Sequence, residues 1–388
     1  MVMRTVRGVL GCGAFVLAVV GSVGAWAQGV SADKIVFGQA AALDGPAAAL
    51  GTGMRTGLLA AFGEANKAGG VGGRKLELIS VDDGYEPNKT IEATNQLLNE
   101  KAVFALVGAV GTPTSAAVLP MVTEKGVPFI GAFTGAEVLR SPYNKWVVNV
   151  RASYFQETET MVERLTKDLG VKKIAILYQD DAFGRAGLAG TQRALKKRSM
   201  ELVAEGTFER NTTAVRTALL AIRKGEPEAV IMIGPYKPCA EFIKLAKQLK
   251  VNWRFVNISF VGSDALAAEL GDAGQGVIVT QVVPFPGDES VPAVKSYHAA
   301  LKELGGDAKP GFVSLEGYLA GRTVISVLGK IEGAPTRANF VEAVTKTGTI
   351  DLGGLTLHYG SGDNQGLDTV YLTVLGADGK YQPVTALK

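Results

Sequence analysis

The sequence predicts an α/β protein of two Rossmann-like lobes, each with a parallel central sheet covered by helices. Three observations carry this expectation. The chain has 388 residues, about twice a usual single-domain length. Short apolar runs alternate with segments of helical spacing, as in a parallel sheet with crossover helices. The alternation then restarts: KKIAILYQDDAFGRAG (172–187) repeats the layout of DKIVFGQAAALDGPAAALG (33–51).

Each element follows from its local pattern. KIVFGQAA (34–41) is a short apolar strand, and after LDGP a helical pattern runs to about Lys67. KLELISVDD (75–83) alternates as a strand does. NKTIEATNQLLNE (88–100) has apolar spacing of three and four, with Asn88 as its cap. VFALVG (103–108) is a buried strand, 115–124 is helical, and VPFIGA (127–132) is a further strand. In the second half KKIAILYQ, LVAEGTF, AVIMIG and FVNISFVGS supply strands with helices between them. GGLTLHYGSGDNQG (353–366) is turn-rich, and TVYLTVL (369–375) is the last strand.

Composition narrows the classes. With 47% hydrophobic and 20% charged residues the chain is globular, not disordered. A formal charge of +3 gives no reason to expect nucleic acid or an anionic membrane surface as a partner. Arg4 and Arg7 precede an apolar stretch from Gly8 to Trp26, and Ala25 and Ala27 stand at −3 and −1 of a cleavage site. This predicts a secretory signal peptide, Met1 to Ala27, and a soluble, extracytoplasmic mature chain. Cleavage removes Cys12 and leaves Cys239 alone, so no internal disulfide is expected.

In open parallel sheets, ligands bind beyond the carboxyl ends of the strands, so the turns there are the places to search. Gly111-Thr112-Pro113-Thr114-Ser115 lacks the Gly-Lys-Ser/Thr of a phosphate loop and the Gly-x-Ser-x-Gly of a nucleophile elbow. It offers Thr112 as an N-cap, Pro113 at the first helical position, and free N–H groups suited to a carboxylate. An ordinary helix start is the plainer alternative. GAFTGAEVL adds Phe133, Thr134 and Gly135 at the next strand end, where Thr134-x-x-Glu137 also fits a capping box. Asp264 in FVGSDALAAEL is either a first-turn helix acid or a counter-charge for a ligand ammonium. Phe183 and Tyr236 follow strand ends where a cleft wall is expected. Asp82 and Asp83 lack metal-loop spacing and read as a loop. His298 and His358 sit in no triad-like or zinc-like context, so no catalytic residue, metal or cofactor is expected.

The first-loop GP…G…G, the run from Asn66 to Leu76, the DD…P turn and ILYQDDAFG together resemble the periplasmic solute-binding proteins of ABC importers, type I, in the branched-chain amino acid (Leu/Ile/Val) binding group. The resemblance implies two lobes joined by a three-crossover hinge, with 33–151 plus 283–355 in the first lobe and 152–282 plus 356–388 in the second. It implies a ligand carboxylate at Thr112, Phe133, Thr134 and Gly135, and an ammonium at Asp264. Phe183 and Tyr236 match its cleft aromatics, and Leu50 stands where some members carry another. Val313 or Glu316 adds to the pocket. The implied location is the periplasm; the implied partners are a small-molecule ligand, an amino acid or related carboxylate, and a membrane permease; the implied state is a monomer. A sensor feeding a signalling kinase, and a binder of an aromatic or aliphatic acid lacking an amine, are the alternatives. A secreted hydrolase is disfavoured because no nucleophile–base pair is visible.

Overall fold

The computed structural model describes Val2 and residues 28–388. The expected signal peptide therefore lies, Val2 apart, outside the described residues. Among these, no helix is long and apolar enough to cross a membrane.

The first sheet is fully parallel, in the order β2-β1-β3-β4-β5. Its strands are β1 (Lys34–Ala41), β2 (Lys75–Asp82), β3 (Ala105–Val107), β4 (Phe129–Ile130) and β5 (Val147–Val148). Helices α1 (Ala48–Lys67), α2 (Pro87–Asn95) and α3 (Thr112–Glu124) connect them, and a π-helical turn at Gln96–Glu100 prolongs α2. Strand β1 is buried from its second residue onward, as its unbroken apolar run requires. The N-cap of α2 is Glu86 with Pro87 at the first position, so Asn88 is inside the helix and not its cap. Proline fits there because the first turn has no N–H partner to lose.

The second lobe repeats the plan. Strands β6 (Ile174–Gln179), β7 (Leu202–Phe208), β8 (Ala229–Ile233), β9 (Arg254–Asn257) and β10 (Ile278–Gln281) are parallel in the order β7-β6-β8-β9-β10. This is the strand order of the first sheet, so the repetition in the sequence is a repetition of topology. Helices α4 (Tyr154–Leu169), α5 (Ala182–Lys196), α6 (Arg216–Lys224), α7 (Tyr236–Gln248) and α8 (Ser263–Leu270) cover it. Helices α9 (Pro292–Leu304), α10 (Phe312–Leu328) and α11 (Arg337–Thr347) return to the first lobe, where α10 packs along α1. A backbone-to-backbone approach there requires glycine: a Cβ at Gly57 would meet Ser314 O at 1.9 Å.

The chain crosses between lobes after β5, after β10, and between β12 (Thr356–His358) and β13 (Tyr371–Leu375). Strand β12 pairs with β11 (Thr349–Asp351), and β13 pairs antiparallel with β10 and with β14 (Tyr381–Val384). A boundary between 355 and 356 cuts the β11–β12 hairpin; the chain joins the second sheet only at β13. Two of the crossings run side by side, with Gly366 N donating to Asn149 O at 2.9 Å and Leu367 N to Val150 O at 2.9 Å.

Candidate ligand-binding cleft

In both sheets the strand order reverses direction between the first strand and its third, between β1 and β3 and between β6 and β8. Crevices open at such points, and the two face each other. Helix α3 begins directly after β3. Its N-cap is Gly111 at φ 103°, and a Cβ there would lie 2.2 Å from the Tyr85 ring. Thr112 is thus the first helical residue, one place later than the cap position expected from the sequence. Its side chain caps nothing and turns to Thr134, with the two hydroxyl oxygens 2.7 Å apart. Thr134 does not form the expected capping box with Glu137: the short helical turn 137–139 is capped by Ala136, whose N–H donates to Thr134 Oγ1 at 3.2 Å. Phe133 continues the sheet through its bridge to Val110. Gly135 O accepts from Tyr154 N at 2.7 Å, and a Cβ on Gly135 would meet that same nitrogen at 2.7 Å.

The opposite wall is aromatic. Asp181 caps α5 by accepting from Phe183 N at 2.9 Å, which fixes the Phe183 ring inward. Phe183 packs on Tyr154 and on Phe260, with ring centroids 5.5 and 4.4 Å apart. Phe260 in turn reaches the first lobe, 5.3 Å from Phe133 and 5.9 Å from Tyr85. Thr112, Phe133, Thr134, Phe183, Tyr85 and Phe260 are all buried. The lobes are therefore closed on each other, with the protein's own rings filling the inner cleft.

Arg151, in the first crossover, is the largest fully buried side chain beside these rings, 1% exposed. Its guanidinium carbon lies 4.8 Å from the Phe133 centroid. Nη2 donates to Ser259 Oγ and lies 3.6 Å from Glu157, while Nε lies 3.5 Å from Glu316. Burial alone disfavours the charge, but Glu316 and Glu157 outweigh it and raise the Arg151 pKa. Glu157 is fully engaged, accepting from Ser259 N, Ser259 Oγ and Thr280 Oγ1 at 2.9, 2.9 and 2.6 Å. Glu316 has no such set, and burial pushes its carboxyl up to about 7. Arg151 Nε and Nη1 make no hydrogen bond. The Tyr154 hydroxyl faces Thr134 without a bond of good geometry.

The other predicted residues gather nearer the mouth. Leu50, Asp264 and Val313 line a cavity of about 420 Å³ between the start of α1 and the start of α10. Tyr236 borders it, its hydroxyl accepting from Ala49 N at 3.4 Å. Asp264 is exposed there, and its Oδ2 accepts from Phe312 N at 3.1 Å across the lobes. Crowding by the surrounding protein raises its pKa. At the rim, Arg210 reaches Glu86 at 2.8 Å and Asn211 donates to Gly84 O at 3.0 Å.

The predicted residues thus form an inner group (Thr112, Phe133, Thr134, Gly135, Phe183) and an outer one (Leu50, Tyr236, Asp264, Val313). Sequence reasoning passed over Arg151, Tyr154, Glu157, Tyr85 and Phe260. Phe260 was legible, four residues before Asp264 in the same strand-end segment. Arg151 follows a two-residue strand and leaves no periodic signal. Among the described residues no cluster of His, Cys, Asp and Glu could hold a metal ion.

Two parallel-sheet lobes, three crossings and facing switch points define the type I periplasmic binding proteins. The comparisons agree: residues 34–380 match the model of the Periplasmic binding protein family, and the chain belongs to that family. It is similar to the leucine-, isoleucine-, valine-, threonine- and alanine-binding protein of Pseudomonas aeruginosa, with 23% identity over 73% of this chain and 75% of that one. A Leu/Ile/Val-binding protein homologue of Brucella abortus is 24% identical over 88% of each chain. Among solved structures, a possible leucine/isoleucine/valine-binding protein from Rhodopirellula baltica superposes with a TM-score of 0.88 at 38% identity, covering 91% of this chain and 97% of that one.

Proposed function

We propose that this chain is the extracytoplasmic substrate-binding component of an ABC importer, exported by its signal peptide, monomeric, and without catalytic activity. It captures a small carboxylate-bearing ligand, an amino acid or a related acid, between the lobes and presents the closed form to a membrane permease. The observation that supports this most is the facing pair Thr112 and Thr134, on adjoining turns after β3 and β4, beneath the aromatic wall of the other lobe. Hydroxyls, helix-start N–H groups and the Gly135 backbone would hold the carboxylate. Phe133, Phe183, Leu50, Tyr236 and Val313 would enclose the apolar body, and Asp264 at the mouth is placed to meet an ammonium if the ligand carries one. The relatives named for leucine, isoleucine and valine make apolar amino acids the first compounds to try.

A thermal-shift screen of amino acids and small carboxylic acids tests this. A ligand at 100 times its dissociation constant stabilises the fold by about 2.7 kcal/mol. A panel in which no carboxylate raises the melting temperature would refute the proposal.

A further inference from the structure

Polar groups in the inner cleft are unevenly matched. Arg151 is buried, yet Nε and Nη1 have no hydrogen-bond partner and Nη2 has one. Buried N–H groups left unpaired are costly, and a guanidinium more so because its charge is desolvated as well. The acids nearby compensate its charge but give Nε and Nη1 no hydrogen bond. Glu157 already accepts three hydrogen bonds from Ser259 and Thr280. Glu316 stays 3.5 Å away, beyond good hydrogen-bond distance. What the inner cleft lacks is an acceptor with two oxygens, beside Phe133, Phe183, Phe260 and Tyr85.

We infer that the Arg151 guanidinium anchors the ligand's carboxylate, and that the ligand is an apolar or aromatic carboxylic acid without an ammonium group. The inference rests on the cleft function proposed above and specifies its ligand. When the lobes part, Phe183, Phe260 and Ser259 withdraw with the second lobe, while Arg151 stays on the crossover. An entering carboxylate meets the freed edge of its planar fork, which matches two oxygens at once. The Tyr154 ring lies 5.9 Å from the guanidinium carbon, its hydroxyl faces Thr134, and Thr134 is bonded to Thr112. The ring or chain of the ligand then lies between Phe133 and Phe260, and the lobes close on it less fully than they close on each other.

An ammonium finds no place in this sector. Glu157 already accepts three hydrogen bonds, and its Oε1 also lies 3.6 Å from Arg151 Nη2. A cation seated on Glu316 would lie beside Arg151, like charge against like charge. Asp264 is at the mouth, already bonded to Phe312 N. Charge balance is kept because Glu316, facing Arg151, Glu157 and the more distant Arg140, has its carboxyl pushed up to about 7 by burial, so it can take up a proton as the ligand's carboxylate arrives and release Arg151.

The test is calorimetry on the full mature chain with matched compounds: 4-methylpentanoate, leucine and 4-methylpentanamide, then 3-phenylpropanoate, phenylalanine and 3-phenylpropanamide. The expected result is that one acid binds at least tenfold more tightly than its amino acid, that the amides do not bind, and that Arg151→Lys weakens the acid tenfold or more. Amino acids binding as tightly as their acids overturn the inference while leaving carboxylate capture intact. Amides binding as well as acids, or none of the six compounds binding, overturn both. A folded Arg151→Lys protein with unchanged acid affinity removes the anchor; should that variant not fold, the wild-type comparison of acid with amino acid decides.

Discussion

Glu316 ties the electrostatics of the cleft to the stability of the fold, and the size of the effect follows from its surroundings. Burial moves its carboxyl from 4.5 to about 7, against the pull of Arg151. A change of that size corresponds to roughly 3 kcal/mol, at about 1.4 kcal/mol for each tenfold change in the proton equilibrium. The sign is set by which form the fold prefers. With the folded value raised, the contribution is fully present below the unfolded value and is lost as pH rises through the folded one. Between pH 5 and 8 the wild-type chain should therefore lose on the order of 2–3 kcal/mol that Glu316→Gln does not lose. Asp83, pushed up to about 6 by burial, acts in the same direction in both proteins and cancels in the difference. Urea denaturation of the two proteins at half-unit pH steps, without ligand, measures this directly. A wild-type-minus-variant difference that is flat across the range would refute the reasoning.

Further predictions concern the wall, the strand ends and the mouth. Thr112→Val with Thr134→Val should weaken every carboxylate ligand by roughly tenfold to a hundredfold while leaving the melting temperature of the free protein nearly unchanged, since the pair bonds chiefly to itself; calorimetry checks this. Gly135→Ala places a methyl 2.6–2.7 Å from Tyr154 atoms, so unfolding stability should fall by about 1–3 kcal/mol in chemical denaturation. Asp264→Asn separates two roles for this acid. As a closing contact to Phe312 N it should cost acids and amino acids alike about fivefold, the equivalent of about 1 kcal/mol. A loss confined to amino acids would make it an ammonium partner instead.

How much of this was legible in the sequence depended on whether the signal was local. Strands such as Ala229–Ile233, five buried apolar residues in a row, announce themselves. So does the doubled layout that became two sheets of one strand order. Thr112 and Thr134 were visible because each follows a strand at a glycine-rich turn. Their caps were misjudged because both side chains answer to each other across 22 residues, and nothing in either turn encodes that pairing. Arg151 and Glu157 were harder still, and Glu316 entered only through the family resemblance. They come from a crossover, α4 and α10, and only the folded hinge brings them together. Glu157 sits among helix residues where an acid ordinarily points to water.

The paired crossings also set the mechanics of opening. Asn149 and Val150 are bonded to Gly366 and Leu367, and Arg151 is the next residue along the chain. If Arg151 anchors the ligand as proposed, a guest gripped at that point would pull close to the fulcrum, whereas Glu86 and Arg210 meet at the rim. A slight shift at the grip is therefore magnified into a wide swing at the lips. Loosening the ladder should alter how fast the jaws part before it alters what they hold.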